Sequence, residues 1–434
     1  MFGALTYKHP INLIIAANIA AYAVLFLYRQ PFDRNSLFIC LFVTVLVCAA
    51  HFIIKGFRLG DEYLSLIVSM LFSMGLIMIY RLDPQLGQKQ LIWLTAGLML
   101  FFAGYIFFIK TGIWQKLGIL YAAGTFTLNI ATIVFGKNIN GSTNWIIING
   151  FSFQLSEATK ILFILFLSCW FRDKEAGLIK IPALKYMKQN TLNRLILMTV
   201  TFFNVFLLIL QREWGTVALF FILYIVMLYV FDNDLRFLLA NVITSIPVAL
   251  FGYFLLYHIR VRVDMWLNPW SDPSGKGYQI LQSLFAIGAG GFLGAGIGSG
   301  RPDLIPAVNT DFIFSAICEE MGMLSGVAII LLYFILCYRG IKIALNIEDG
   351  FYKVLAMGIS IMFGIQAFII IGGVIKLIPL TGITLPFVSY GGSSLIASFL
   401  SLGILQAMSK IQQVGLKFSS FVKEKEGEEI EQRE

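Results

Sequence analysis

The residues of this chain that could do chemistry lie in four polar segments that interrupt a series of long apolar runs. The longest segment, Asn268–Phe314, contains Asp-Pro and Pro-Asp turns, a glycine-rich run and the acid Asp311 directly before a new apolar run. Polar, irregular backbone is tolerated beside a bilayer only outside it or around a protected cavity. We therefore expect the chemistry of this protein in that segment.

Basic residues in and just before this segment could neutralise a diphosphate. They are Arg260, Arg262, Lys276 and Arg301. Cations at an outer membrane boundary also serve as anchors for lipid headgroups, and the sequence leaves both interpretations open. The glycine-rich run Gly288–Gly300 is not followed by Gly-Lys-Ser/Thr, so it predicts a close-packed turn or re-entrant element instead of a phosphate loop.

The other three polar segments also carry groups that lipid would not tolerate. Glu157 and Lys160 open an apolar run with i,i+3 spacing, which places both on one helix face. They could hold two helices together or contact a substrate. Gln211–Thr216 is a short charged break between apolar runs, and the Gly/Pro-interrupted stretch Lys376–Ser394 predicts a cavity-lining loop.

Membrane helices must position these groups. Of the 434 residues, 58% are hydrophobic and 13% are charged, whereas about 25% are charged in soluble domains. Apolar runs of about 17–25 residues predict an all-α polytopic membrane protein with about twelve transmembrane helices. These spans start near residues 11, 37, 64, 91, 116, 157, 195, 215, 237, 312, 353 and 394.

The distribution of Lys and Arg predicts the orientation of the chain. They are more numerous on the side of the two termini, which is therefore predicted to be cytoplasmic, so the large loop between helices nine and ten faces outward. The formal charge of +8 is explained by this bias and indicates no nucleic acid partner. Within the loop, Ile280 and Leu281 predict an interfacial helix with Ser283 on its polar face. The charged residues after Lys410 predict a disordered tail.

Five runs occur in order along the chain: SFQLSEATK, QREWGTVALFF, GKGYQILQSLFAIGAGGFLGAGIGSG, LIPAVNTDFIFSAICEEMG and IPLTGITLPFVSYGGSS. Together they resemble the SEDS family (shape, elongation, division and sporulation) of bacterial cell-wall polymerases, of the RodA, FtsW and SpoVE type. The resemblance covers roughly residues 64–410 and implies a core of about ten membrane helices. Residues 1–63 then form an N-terminal pair of extra helices, and residues 411–434 form a charged cytoplasmic tail.

The resemblance also implies an activity. Members of this family polymerise the glycan of peptidoglycan from lipid II, in complex with a class B penicillin-binding protein. The chain would be a glycosyltransferase of the bacterial plasma membrane, with its active site on the extracellular face and undecaprenyl diphosphate as the leaving group. A role in elongation, division or sporulation stays open.

The resemblance also assigns roles to residues, motif by motif. The essential acid of the family corresponds to Asp311. The Ser-Glu-x-x-Lys pair falls on Glu157 and Lys160, and the loop tryptophan falls on Trp145. Together with the cations assigned above, the further substrate-binding positions are Tyr278, Gln279, Ser389 and Tyr390. Four residues depart from the family pattern: Asn144 replaces an Arg, Glu213 an Asp, Asn309 a frequent His and Lys376 a frequent Gly.

Inverting glycosyl transfer requires a base for the acceptor hydroxyl and positive charge for the departing diphosphate. Asp311 is the predicted base, in the first turn of a helix capped by Thr310 or Asn309. A divalent cation such as Mg²⁺ would suit the diphosphate and stays open, but the long segment around Asp311 contains no Asp-x-Asp pair, so no metal site or other cofactor can be identified from the sequence. A flippase of the lipid-linked precursor and a non-catalytic scaffold for a penicillin-binding protein remain alternatives, and only a scaffold should tolerate replacement of Asp311.

Overall fold

The computed structural model describes residues 10–28, 34–139, 142–148, 151–172, 189–232 and 234–431. Within these ranges the helices are α1 (Ile11–Tyr28), α2 (Arg34–Gly56), α3 (Glu62–Leu82), α4 (Pro84–Lys110), α5 (Gly118–Phe135), α6 (Ser156–Arg172), α7 (Gln189–Leu210), α8 (Trp214–Phe231), α9 (Leu235–Leu255), α10 (Tyr257–Leu267), α11 (Tyr278–Gly290), α12 (Ile313–Leu345), α13 (Gly350–Val374) and α14 (Gly392–Glu431). Strands β1 (Lys137–Ile139), β2 (Ser142–Ile148) and β3 (Phe151–Phe153) lie between α5 and α6.

Each of the twelve predicted spans is a helix in the structure. Ten helices in the described part of the chain are long and apolar enough to cross a membrane. Helix α1 is slightly shorter, and the 17-residue α6 carries Glu157 and Lys160. The predicted all-α polytopic class is confirmed, while the number of crossings stays a prediction.

The core is centred on α3 and α13. In each of them 83% of the most apolar stretch is buried, against 12% in the peripheral α9. Helices α4 and α14 approach closely because small residues lie between them. A Cβ on Gly403 would lie 2.2 Å from the carbonyl oxygen of Phe101, so only glycine permits this backbone contact.

The segment before α6 is a small antiparallel sheet, which the sequence did not predict. Strand β2 pairs with β1 on one side and with β3 on the other. The N–H of Thr143 donates to the carbonyl of Gln211 at 3.1 Å, which joins the sheet to the turn between α7 and α8. Strands of three residues give too short an alternation to be recognised in a sequence.

Helix α11 confirms the predicted helix in the long loop but corrects its orientation. Ile280 and Leu281 are buried as expected, yet Ser283, predicted on the polar face, is buried as well. Its hydroxyl lies 2.7 Å from the hydroxyl of Ser315 and donates to the carbonyl of Val374 at 3.0 Å. These bonds satisfy the polar group, so α11 packs into the protein on this side.

Helix α12 is broken at Gly322, which has φ = 81° and ψ = 167°. The glycine-rich run fills this break. The N–H groups of Ala295 and Gly296 donate to the carbonyls of Glu319 and Glu320 at 2.9 and 3.0 Å. The structure therefore contains the close-packed element that the sequence predicted for Gly288–Gly300.

The predicted disordered tail is helical in the structure. Helix α14 continues past Lys410 as far as Glu431. The added residues are rich in Lys and Glu, which favour helix. Extending an existing helix also avoids the cost of a new nucleus.

Candidate active site

Asp311 lies in a tight turn directly before α12. Its N–H donates to the carbonyl of Ala307 at 3.1 Å, and Ala307 itself has φ = 56°. Phe312 occupies the N-cap position without a side-chain cap. The predicted cap by Thr310 or Asn309 is therefore wrong, because the turn around Ala307 delays the start of the helix until Ile313.

Arg262 of α10 faces Asp311 across Gly382. A Cβ on Gly382 would lie 3.5 Å from Asp311 Oδ2 and 3.6 Å from Arg262 Nη2, so both side chains converge on the same space. Arg262 Nη1 also donates to the carbonyls of Leu380 and Thr381 at 3.2 and 2.8 Å. The loop before α14 thus holds the guanidinium toward the carboxylate.

Burial raises the pKa of the Asp311 carboxyl above its usual value. A hydrogen bond from Thr310 and the positive charge of Arg262 oppose this change without cancelling it. Burial also lowers the pKa of Arg262, against the opposing effect of Asp311, but a guanidinium stays protonated in proteins. A carboxylate with a raised pKa is a stronger base than an exposed one.

The loop residues Ser389 and Tyr390 hold the turn that carries Asp311. Ser389 Oγ donates to the carbonyl of Thr310 at 2.5 Å, and the N–H of Tyr390 donates to the carbonyl of Asn309 at 2.9 Å. The hydroxyl of Ser389 also accepts from the N–H of Leu385 at 3.0 Å. These contacts fix the position of Asp311 relative to the loop.

Glu157 and Lys160 form a buried ion pair. Lys160 Nζ lies 2.7 Å from Glu157 Oε2, and both side chains are less than 10% exposed. Lys160 Nζ also donates to Gln366 Oε1 at 3.2 Å, and Gln366 Nε2 donates to the carbonyl of Thr384 at 2.9 Å. The pair is thus connected through α13 to the loop that holds Asp311.

The other predicted cations do not contact Asp311 among the described residues. Arg260 donates to the carbonyl of Phe254 at 2.8 Å, Lys276 Nζ donates to the hydroxyl of Tyr257 at 2.5 Å, and Arg301 lies 3.4 Å from Asp303. All three basic side chains lie at the surface. The other predicted substrate contacts are half-buried, with Tyr278 and Gln279 at the start of α11 and Trp145 on β2.

Two of the departures from the family pattern contact each other. Asn144 Nδ2 donates to Glu213 Oε1 at 2.7 Å, and the same oxygen accepts from Ser156 at 3.0 Å and from Gln154. Glu213 is buried, and its Oε2 has no hydrogen-bond partner within the described ranges. Asn144, in place of an Arg, and Glu213, in place of an Asp, are therefore direct hydrogen-bond partners.

The other two departures have separate surroundings. Lys376 adopts φ = 61°, in the left-handed region that glycine occupies without strain, which explains why glycine suits this position. Asn309 lies in the turn before Asp311, where its carbonyl accepts from Tyr390.

Glu213→Gln is expected to stabilise the protein at alkaline pH. Burial raises the pKa of Glu213, and the hydrogen bonds from Asn144, Gln154 and Ser156 only partly oppose this. Because the pKa of Glu213 is higher in the folded state than in the unfolded state, the carboxyl group ionises less readily when the protein is folded. Ionisation therefore destabilises the folded protein at a pH above the pKa of the unfolded state, and this effect is absent below that pKa. The melting temperature should rise by about 2–4 °C at pH 8, the change that roughly 1 kcal/mol produces in a medium-sized domain.

The same substitution should have little effect on the melting temperature near pH 4.5. Glu348→Gln is the matched control because Glu348 is exposed, and it should change little at either pH. A melting temperature of Glu213→Gln that lies below that of the parent at pH 8 would contradict the expectation and indicate a stabilising buried carboxylate.

Three residues that hold the glycine-rich run in place were not singled out by sequence reasoning. Arg81 lies 2.6 Å from the buried Glu320, and its Nη2 donates to the carbonyl of Gly300 at 2.8 Å. Glu320 Oε2 accepts from the N–H of Gly298 at 2.9 Å, and Glu319 Oε1 accepts from the N–H of Arg301 at 2.7 Å. The signal was two adjacent acids inside an apolar run, which at membrane depth need partners.

Among the described residues no group of three or more His, Cys, Asp or Glu side chains could hold a metal ion.

Fold and site together define a polytopic α-helical membrane protein with a half-buried carboxylate that faces a guanidinium beside a broken helix. The family model of the FtsW, RodA and SpoVE cell cycle proteins matches residues 61–413. The chain therefore belongs to that family.

Individual relatives agree with this assignment. The chain is 36% identical over 384 residues to the peptidoglycan glycosyltransferase RodA of Mycobacterium tuberculosis, covering 83% of this chain and 80% of the relative. It is 34% identical to the stage V sporulation protein E of Bacillus subtilis, covering 81% and 97%. A probable peptidoglycan glycosyltransferase FtsW of Geobacter is 30% identical, covering 80% and 96%.

Solved structures share the fold. A chain from a peptidoglycan synthase complex, described for its coordination of polymerization and crosslinking, aligns with a TM-score of 0.67 at 25% identity, covering 81% of this chain and 98% of the other. The rod shape determining protein RodA of Thermus thermophilus aligns with a TM-score of 0.58 at 25% identity, covering 81% and 97%.

Proposed function

We propose that this protein polymerises the glycan strands of peptidoglycan from lipid II, as a glycosyltransferase of the bacterial plasma membrane. The observation that carries the proposal is the convergence of Asp311 and Arg262 on one space beside Gly382. Relatives that match four-fifths of the chain are named peptidoglycan glycosyltransferases. Because they include RodA, FtsW and a sporulation protein, the process served is elongation, division or sporulation.

In this proposal Asp311 is the general base. The ionised carboxylate accepts the proton of the acceptor hydroxyl as its oxygen attacks the anomeric carbon of the donor sugar, with inversion. The bond from that carbon to the diphosphate breaks, and undecaprenyl diphosphate leaves with the electron pair. Arg262 partly offsets the effect of burial and so favours the ionised carboxylate, and its charge also favours the negative leaving group.

The remaining predicted residues support this site in different ways. Ser389 and Tyr390 position the turn that carries Asp311, and the pair Glu157–Lys160 is tied to the same loop. Arg260, Lys276 and Arg301 lie at the surface of the long loop, where they would meet the lipid-linked diphosphate before it reaches Asp311. The excess of basic residues on the side of the termini supports a cytoplasmic location for both and an extracellular active site.

A class B penicillin-binding protein is the proposed partner. The structural neighbour with a TM-score of 0.67 comes from a complex that couples polymerization to crosslinking. A transpeptidase next to the site would crosslink the strand as it is made. Its identity would decide which cellular process the polymerase serves.

The decisive experiment supplies labelled lipid II to the purified protein with candidate class B partners. We expect a ladder of glycan polymers that resists a transpeptidase inhibitor, because crosslinking is not needed for chain extension. Absence of polymer with every folded, partner-bound complex would overturn the proposal.

The break in α12 at Gly322 favours one second candidate, a flippase of the lipid-linked precursor, because broken helices also occur in transporters. Vesicles with lipid II in one leaflet distinguish the two functions. A flippase would move lipid II between leaflets and make no polymer, whereas the proposed enzyme would make polymer only from lipid II in the leaflet that faces Asp311.

A further inference from the structure

A cavity of about 530 Å³ lies at the end of α12 farthest from Asp311, where α2 ends and α3 begins. Four basic and two acidic residues line it: Lys55, Arg58, Arg339 and Lys342, with Asp61 and Glu62. The cavity is thus positively charged overall, and it is separate from the site described above.

The charged residues of the cavity are not equally paired. Arg339 forms a two-pronged ion pair with Asp61, with Nε to Oδ2 at 2.7 Å and Nη2 to Oδ1 at 2.8 Å. Lys55 lies 3.9 Å from Glu62 in an exposed, weaker contact. Within the described part of the chain, no acceptor lies within hydrogen-bonding distance of the side chains of Arg58 and Lys342. Two exposed cations therefore face the cavity with their donors free.

Hydrogen bonds from α14 hold the backbone of the turn that carries Arg58. Lys410 Nζ donates to the carbonyl of Arg58 at 2.7 Å, and Gln406 Nε2 donates to the carbonyl of Leu59 at 3.2 Å. The N–H of Asp61 donates to Ser409 Oγ at 2.9 Å. Arg58 itself adopts φ = 50°, a conformation that costs free energy for a residue other than glycine. These contacts fix the point from which the Arg58 side chain extends into the cavity.

Tyr63 and Tyr338 also line the cavity and are 44% and 57% exposed. Tyrosines concentrate at the headgroup level of a bilayer, and the cavity lies at the ends of membrane helices. Basic pockets between such helices suit lipid headgroups, and guanidinium binds phosphate through paired hydrogen bonds. We propose that this cavity binds the phosphate of an anionic phospholipid, with Arg58 and Lys342 as its donors.

The test measures retention of phosphatidylglycerol by the purified full-length protein in native mass spectrometry. The cavity variant Arg58→Gln/Lys342→Gln should lose at least about tenfold in apparent affinity, since each charge-assisted bond contributes on that order. The matched control is Lys116→Gln/Arg236→Gln, which removes one Lys and one Arg at exposed positions outside the cavity and should retain the lipid as the parent does. Lys342→Gln alone serves as a second, milder variant, and melting temperatures verify that each protein is folded.

Phosphatidylcholine and inorganic phosphate test whether the ligand is an anionic lipid headgroup or a free phosphate ion. Phosphatidylcholine should bind more weakly than phosphatidylglycerol, and millimolar phosphate should not displace the lipid. Equal retention of phosphatidylglycerol by the parent and by both folded cavity variants would overturn the proposal. Displacement by free phosphate would also overturn it, because the site would then bind a soluble anion.

Discussion

Replacing Asp311 by Asn is expected to lower the rate of glycan polymerisation by about 10²–10⁴-fold, the usual contribution of a general base. The amide has the shape of the carboxylate but cannot accept the proton of the acceptor hydroxyl. The N–H of Asp311 holds the turn to Ala307, and this backbone contact survives the substitution. The measurement is the initial rate of polymer formation from labelled lipid II by the purified protein with its partner.

Asp303→Asn is the matched control for this substitution. Asp303 lies in the same loop, is exposed, and its carboxylate forms a surface ion pair with Arg301 at 3.4 Å as its one side-chain contact within the described ranges, so its replacement should change the rate less than about twofold because such pairs contribute little. If Asp311→Asn, shown to be folded and bound to its partner, polymerises lipid II near the parental rate, Asp311 is not the base. A scaffold function would then regain support.

The raised pKa of Asp311 adds a second readout. The base must be ionised, so kcat/KM should fall as the pH falls through the pKa of Asp311. Because burial raises this pKa, the acid limb should lie above pH 3.8, the ordinary value for Asp. The residual activity of Asp311→Asn should lack that limb.

The helices and the place of Asp311 before one of them were predictable because these signals are local, whereas its role as the essential acid came from the family resemblance. A span of about twenty apolar residues has few alternatives to a membrane helix, whereas the break in α12 at Gly322 was not predicted. The position of Asp311 before an apolar helix could also be predicted from neighbouring residues. Its helix cap could not, because Ala307 adopts a left-handed conformation that an alanine rarely takes.

The contacts across the fold could not be predicted in the same way. Arg262 was one of four equivalent cations in the sequence, and only the packing of α10 against the loop at Thr381 places it beside Asp311. The contact between Asn144 and Glu213 joins residues on a sheet and on a helix turn. A single sequence contains no information about which of many distant polar groups meet, since that depends on how the helices pack.

Glu157→Ala and Lys160→Ala are each expected to destabilise the protein by about 3–5 kcal/mol, because removing one partner leaves the other charge buried and unpaired. The two side chains lie 2.7 Å apart and are nearly inaccessible to solvent. The double variant should therefore be much less destabilised than the sum of the single variants. Denaturant unfolding of the purified proteins measures the coupling free energy between the two side chains. The control is the pair Lys55–Glu62, which lies at the surface at 3.9 Å and should have a coupling free energy of less than about 1 kcal/mol.

Activity measurements on the same variants decide between a structural pair and a substrate contact. Lys160 reaches the active-site loop through Gln366 and the carbonyl of Thr384, and Ser389 of that loop holds the turn before Asp311. If the pair only positions this loop, Gln366→Ala should reproduce part of the loss in kcat of Lys160→Ala while KM for lipid II stays constant. A selective rise in KM for Lys160→Ala, with kcat and the Gln366→Ala enzyme unchanged, would instead identify a direct contact with the substrate. Strictly additive unfolding free energies would contradict the coupling itself, whichever role the pair has in catalysis.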